Sequence, residues 1–195
     1  MPATLEPIEA FAALPQKKWT RDECLALERA GFLDLADYEL IEGDLLLKMS
    51  KNYPHGLALL YLSNWLRKLF GDLRVIQENA LNLRAEDAPT SEPEPDLMVL
   101  NQPYPALGGK ASAADVLLVA EVSGPSLRFD LTRKAELYAR SNIPEYWVLD
   151  LVARRVIIHR DPSKGLYAFV KVYSSEESVS LAANPESQIF VSELF

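Results

Sequence analysis

Two carboxylates stand where short apolar runs begin and end. Asp96 follows Glu94-Pro95 and opens Leu97-Met98-Val99-Leu100, and Glu121 closes Val116-Leu117-Leu118-Val119-Ala120. Runs of this length and composition read as buried strands. If the two strands are neighbours, both carboxylates meet at one end of a sheet, where each is costly unless a cation or a hydrogen-bond donor satisfies it. A hard divalent ion such as Mg²⁺ is one such partner. Charged residues also commonly bound strands, so two solvated strand ends fit the same pattern.

The segment after Glu121 supplies a cation. On a 100° helical wheel Leu131, Ala135, Tyr138 and Ala139 form a sheet-facing stripe with Lys134 at its edge, while Arg133, Glu136 and Arg140 point outward. The Lys134 amine could reach back toward Glu121, or pair with Asp130 four residues earlier on a solvated face. Arg133→Ala is expected to be nearly silent. In a strand Glu39 shares a face with Ile41, and Glu42 with Tyr38 and Leu40, so only one of the two glutamates can face a given site. His55 falls on the side of Leu59, Leu62 and Leu66. It suits a ligand of a second ion, a phosphate contact or a hydrogen-bonded core histidine. Glu78 is a further carboxylate with no pattern behind it.

These residues need elements to position them. Thr20 and Glu23 form a capping box and Gly31 supplies a left-handed stop, which predicts a helix from Arg21 to Ala30. Tyr38 to Glu42 and Leu45 to Met49 flank Gly43-Asp44 and read as a β-hairpin. Apolar residues at Ala58, Leu59, Leu62, Trp65, Leu66 and Leu69 predict a helix from Pro54 to Phe70. Val75 to Leu83 reads as a strand pair or a bent strand. A helix over 130–141, closed by Asn142 and Pro144, links the strand before Glu121 to Tyr146-Trp147-Val148-Leu149-Asp150. Strand, helix, strand at this spacing is a βαβ crossover with two parallel strands. Arg155 to Arg160 pairs beside it, and Tyr167 to Tyr173 and Ile189 to Val191 read as edge strands.

The whole is expected to be α/β (α+β), with residues 1–18 as a tail or arm and 19–195 as a single domain. With 195 residues, 49% of them hydrophobic, the chain can bury a full core without disulfides or a structural metal, and its lone Cys24 cannot pair internally. Glu6 and Glu9 stand where a signal peptide would carry Lys or Arg, and no apolar run spans a bilayer, so a cytoplasmic protein without membrane association is expected. The net charge of -8 repels phosphate backbones, so any affinity for DNA should be weak and salt-dependent. Arg154, Arg155, His159 and Arg160, with Arg128, Arg133 and Arg140, are the local basic residues that could oppose that field. Glu86, Asp87, Glu92 and Glu94 oppose them, so a solvated mixed-charge surface fits as well.

Pro95-Asp96, then Glu121-Val122-Ser123-Gly124-Pro125-Ser126, then Asp130, Lys134 and Tyr138, then Pro144-Glu145-Tyr146-Trp147-Val148-Leu149-Asp150 resemble the Uma family of restriction endonucleases, within the PD-(D/E)XK nuclease superfamily. Tyr38 to Asp44 and Pro54-His55 are similar to that family's opening, so the resemblance covers about residues 19 to 160. It implies a restriction-endonuclease-like mixed β-sheet flanked by helices, with an N-terminal helix and β-hairpin. It further implies that Asp96, Glu121 and the Val122 carbonyl hold Mg²⁺, for which Mn²⁺ can substitute, and that a lysine activates the attacking water. It favours Glu39 over Glu42. The superfamily's lysine stands two residues after the glutamate, where this chain has Ser123; Lys134 is the candidate replacement.

The leading functional expectation is therefore a Mg²⁺-dependent endonuclease hydrolysing DNA phosphodiester bonds, with Asp96, Glu121 and Lys134 catalytic and Glu39 and His55 in support. Cutting both strands of a duplex needs two sites, so a homodimer or larger symmetric homo-oligomer is expected. The alternative is a nuclease fold whose chemistry has lapsed and which serves as an assembly or regulatory module. A small-molecule α/β enzyme ranks last, because the chain has neither a glycine-rich phosphate loop nor a nucleophile elbow.

Overall fold

The computed structural model describes residues 16–48 and 52–195. Most of the expected tail, residues 1–15, lies outside these residues, as do 49–51. Helix α1 (Arg21–Arg29) starts at the Thr20–Glu23 capping box, and Gly31 follows it at φ +75°. Strands β1 (Tyr38–Ile41) and β2 (Asp44–Leu47) form an antiparallel hairpin. Glu42 and Gly43 both take positive φ there, as a tight hairpin turn of matching twist requires. Helix α2 (Tyr53–Phe70) is capped by the Asn52 side chain, which accepts from the His55 N–H, and it ends at Gly71.

The main sheet has six strands in the order β3 (Val75–Gln77), β4 (Leu97–Leu100), β5 (Val116–Ser123), β6 (Glu145–Asp150), β7 (Arg155–Ser163) and β8 (Leu166–Tyr173). β5 and β6 run parallel, joined by the expected helical crossover, and every other neighbouring pair is antiparallel. A separate pair, β9 (Ser178–Leu181) with β10 (Asn184–Phe190), follows, so the last apolar run belongs to its own small sheet.

Alternation along the strands splits the core into two layers. Leu97, Val99, Leu118, Ala120, Val122, Trp147 and Leu149 pack on one face under Ala58, Leu59, Leu62 and Leu66 of α2. Met98, Leu100, Val119, Tyr146, Val148 and Ile157 pack on the other face, with Ile41 of the hairpin and Leu137 and Tyr138 of the crossover helix. The result is a mixed sheet flanked by helices, with an N-terminal helix and hairpin: a restriction-endonuclease-like α/β fold.

Three local expectations change. Val75 to Leu83 is neither a strand pair nor one bent strand, because β3 ends at Gln77 and Glu78 turns at φ +51°. β5 runs on to Ser123, so Glu121 lies inside the strand, paired with Val148, instead of closing it. The crossover helix is not regular. It comprises α3 (Leu127–Phe129), a π-turn over Asp130–Lys134, and α4 (Ala135–Arg140).

The π-turn breaks the 100° phase on which the wheel rested, and both Asp130 and Lys134 become buried. Arg133 is not idle on a solvent face either. It donates to Glu42, Asp44 and the Ile41 carbonyl at 3.0, 2.7 and 3.2 Å, tying the hairpin to the helix. Arg140 likewise bonds Glu42 and Asp87.

Candidate active site

β4 and β5 pair antiparallel with Leu97 opposite Ala120, so one step along the register sets Asp96 opposite Glu121. Directly opposed residues share a face with Cβ atoms about 4.5–5.5 Å apart. Both side chains belong to the face covered by the hairpin and the crossover helix. Asp96 is fixed by the strand itself, since the Val122 N–H donates to its Oδ2 at 2.8 Å. His55 Nε2 lies 3.2 Å from the same oxygen. The histidine reaches the sheet's end from the first turn of α2, whose buried residues are apolar except for Ser63. Its Nδ1 is buried with no hydrogen-bond partner among the described residues.

Glu121 faces the π-turn. Its Oε1 accepts from Lys134 Nζ at 2.9 Å and from the Tyr138 hydroxyl at 3.0 Å. Lys134 Nζ also lies 3.1 Å from Glu39 Oε1, and that carboxylate accepts the Glu94 N–H at 2.9 Å. Glu39 and Ile41 therefore face the sheet, and Glu42 turns to Arg133 and Arg140 instead. Two residues beyond Glu121 on the same strand face, Ser123 donates to Asp130 Oδ2 at 2.7 Å. Glu78 is exposed, and its backbone N–H bonds the Asp96 carbonyl.

Four carboxylates, Glu39, Asp96, Glu121 and Asp130, act on this cluster against the Lys134 charge. Burial pushes the Glu121 carboxyl well above the usual carboxylate range; Lys134 opposes that shift, and the other three carboxylates add to it. Burial works against the Lys134 ammonium, but Glu121, Glu39 and Asp130 overcome it and raise its pKa. The excess of negative charge raises both groups, so the lysine stays protonated. Burial and then Glu121 also raise the Tyr138 phenol.

The Uma2 family, described as Putative restriction endonuclease, matches residues 21–191. The chain belongs to the Uma2 family. Among solved structures, it is similar to a nuclease of the DUF820 group from Anabaena variabilis ATCC 29413, described as putative, with a TM-score of 0.69 and 16% identity. That alignment covers 91% of this chain and 97% of the other, and it establishes the shared fold. No curated protein matches.

Family membership places this Uma2 chain in a metal-utilising nuclease superfamily. Its side chains as arranged do not form a ready seat for Mg²⁺. Among the described residues no group of three or more His, Cys, Asp or Glu side chains stands where it could hold a metal ion. Asp96 Oδ2 is taken by a backbone N–H and His55, and Glu121 Oε1 by Lys134 and Tyr138. An ion there would compete with Lys134 and Tyr138 for the Glu121 carboxylate.

The basic run offers little to a phosphate backbone. His159 is buried against the rings of Tyr146 and Tyr167, Arg155 bonds Asp150 and Arg160 bonds Glu145, while Arg154 lies over Phe195. Arg128 makes no ion pair among the described residues. Two site groups escaped the sequence reading: Tyr138 as a donor to Glu121, and Ser123 as a donor to Asp130. Asp130, Lys134 and Tyr138 recur every fourth residue, the one available hint that three polar groups share a helix face. Among the described residues no helix is long and apolar enough to cross a membrane.

Proposed function

We propose that this Uma2 chain, with its cleft arranged as it is, works as a nuclease-fold assembly or regulatory module and not as a preformed hydrolase. One observation carries the reading: one oxygen of each of the two carboxylates, Asp96 Oδ2 and Glu121 Oε1, accepts from the chain's own donors, with Lys134 bonded to Glu121 at 2.9 Å. A salt bridge this buried excludes water and gives Glu121 a cation of the chain's own. The net charge of -8 and the internal pairing of Arg155 and Arg160 also weigh against a strong DNA surface.

A specific observation favours a second reading, a Mg²⁺-dependent endonuclease acting on DNA. Burying Lys134 together with Asp96, Glu121 and Asp130 costs stability that apolar residues of similar volume would not, and such clusters concentrate at functional sites. In that reading Asp96, Glu121 and the Val122 carbonyl would hold the ion, which would polarise the phosphate and acidify a bound water. Lys134 would then stabilise charge that develops on the phosphate, with Glu39 and His55 orienting the lysine and Asp96. A symmetric homo-oligomer in the cytoplasm suits either reading, through assembly in the first and paired cuts in the second.

The deciding experiment incubates the full chain with duplex and single-stranded DNA in Mg²⁺ or Mn²⁺, alongside Lys134→Ala, and follows Mn²⁺ binding by calorimetry. The module reading expects no cleavage and no saturable Mn²⁺ binding. Cleavage by wild type that Lys134→Ala loses about 10²-fold or more would overturn it in favour of the enzyme.

A further inference from the structure

The position two residues after the glutamate is where the superfamily carries its lysine, and Ser123 stands there fully buried, on the same strand face as Glu121. Its hydroxyl is not spare. It donates to Asp130 Oδ2 at 2.7 Å, and Asp130 is the first residue of the π-turn that ends at Lys134.

From the neighbouring strand, the buried Tyr146 hydroxyl donates to the Asp130 backbone carbonyl at 3.1 Å. That same carbonyl accepts the Ala135 N–H across the wide turn. Asp130 is thus pinned by its carboxylate to β5 and by its carbonyl to β6, at the point where the helix leaves α-helical phase. A turn one residue wider than an α-turn is an uncommon conformation and persists where neighbours hold it. Its consequence here is direct: Lys134 faces the sheet and reaches both Glu121 and Glu39 instead of sitting at the edge of the apolar stripe.

We propose that Ser123 and Asp130 form a latch that seats the Lys134 amine, so that the residue occupying the lysine's usual place positions the lysine's replacement. Both are positioning residues, acting through Lys134. The inference deepens and rests on the reading of a cleft closed on its own lysine.

Arg133 and Arg140 tie the outer face of the same helix to Glu42 and Asp44 of the hairpin, and among the described residues no side-chain hydrogen bond or ion pair joins these four to Asp130 or Lys134. They hold the helix in place without setting the direction of the amine. Besides the Lys134–Glu121 pair itself, the hydroxyl–carboxylate bond links the glutamate's own strand to the turn.

The test is amine-selective acetylation of the intact protein, read by peptide mass spectrometry at Lys134 in wild type, Ser123→Ala, Ser123→Thr, Asp130→Ala and Asp130→Asn. The buried Cys24 thiol, in α1, is followed in parallel as a gauge of general loosening. Wild-type Lys134 should be protected relative to the exposed Lys164 and Lys171. Ser123→Ala and Asp130→Ala should each raise Lys134 labelling at least tenfold while Cys24 stays unreactive. Ser123→Thr, which restores the hydroxyl, and Asp130→Asn, which keeps an acceptor without the charge, should both restore protection. Unchanged labelling in Ser123→Ala overturns the latch, as does release in Asp130→Asn equal to that in Ser123→Ala. Labelling of Cys24 in step with Lys134 also overturns it, by showing only general loosening. DNA cleavage does not enter this readout, so a nuclease activity that sank the module reading would leave the result separately legible.

Discussion

The Lys134 amine lies 2.9 Å from Glu121 Oε1, thirteen residues away along the chain and on a different element. The contact joins β5 to the crossover helix at the point where the π-turn interrupts it. Most of the chemistry expected of the chain depends on whether that pair stays closed.

Removing the cation should expose the charge imbalance. Lys134→Met leaves Glu121 and Glu39 buried without their shared partner, a change expected to cost about 3–5 kcal/mol at neutral pH. The loss should shrink on acidification. A carboxyl whose folded pKa is raised favours the folded state below its unfolded value of 4.5, and that contribution fades as pH rises through the folded pKa. Urea denaturation at pH 7 and pH 5 measures both; a deficit in Lys134→Met that grows toward acid would contradict the assignment.

Tyr138→Phe deletes one donor to Glu121 and leaves Lys134 in place. A cost of about 1.5–3 kcal/mol is expected, as for a hydrogen bond to a charged group. Burial and Glu121 hold the Tyr138 phenol above its ordinary range, so the substitution should remove absorbance change from the late part of an alkaline titration and leave the early part as it was.

His159 should give the protein an acid-side weakness. Burial depresses its pKa, opposed by the bond to the Tyr146 carbonyl. A depressed histidine contributes stability that is present above about pH 6.5 and lost as pH falls through its folded pKa. His159→Gln should therefore lose less stability than wild type between pH 7 and pH 5, as read by thermal melts. Parallel curves would remove His159 from the explanation.

Arg133→Ala should loosen the hairpin. The arginine's guanidinium is partly exposed, which limits the expected cost to about 1 kcal/mol. Amide exchange over residues 38–47 should speed up more than exchange in β5 or β6, and a uniform change would show that the arginine does not pin the hairpin.

Any binding to duplex DNA should be weak and fall steeply between 50 and 200 mM salt, because the overall charge opposes it and few arginines are unpaired. Fluorescence anisotropy with Ca²⁺ present measures this. Tight binding indifferent to salt would be incompatible with the electrostatics described.

Local signals carried far in this chain. The Thr20–Glu23 capping box, the Glu42-Gly43 turn, the apolar period of α2 and the buried runs of β4, β5 and β6 are written in neighbouring residues, and the structure has these elements within a residue or two at most ends, β5 extending further to Ser123. The parallel crossover followed from the order of those elements, since a strand, helix and strand of that length close in one sense. The family resemblance, also read from order and spacing, is confirmed by the match over residues 21–191.

Only the tertiary structure decided how the site is wired. Glu39 was separated from Glu42 by the way the hairpin lies over the sheet, which strand alternation alone leaves open. The wheel failed at Asp130 and Lys134 because a π-turn is a local departure from helical period, held by Ser123 and Tyr146 from two strands that are neighbours only after folding. Arg133, Arg155 and Arg160 read as free surface charge in the sequence and are spent on carboxylates in the fold. Period and propensity reach a few residues along the chain, whereas a buried charge is neutralised by whatever the fold brings within about 3 Å of it, and that partner is set by packing between distant segments.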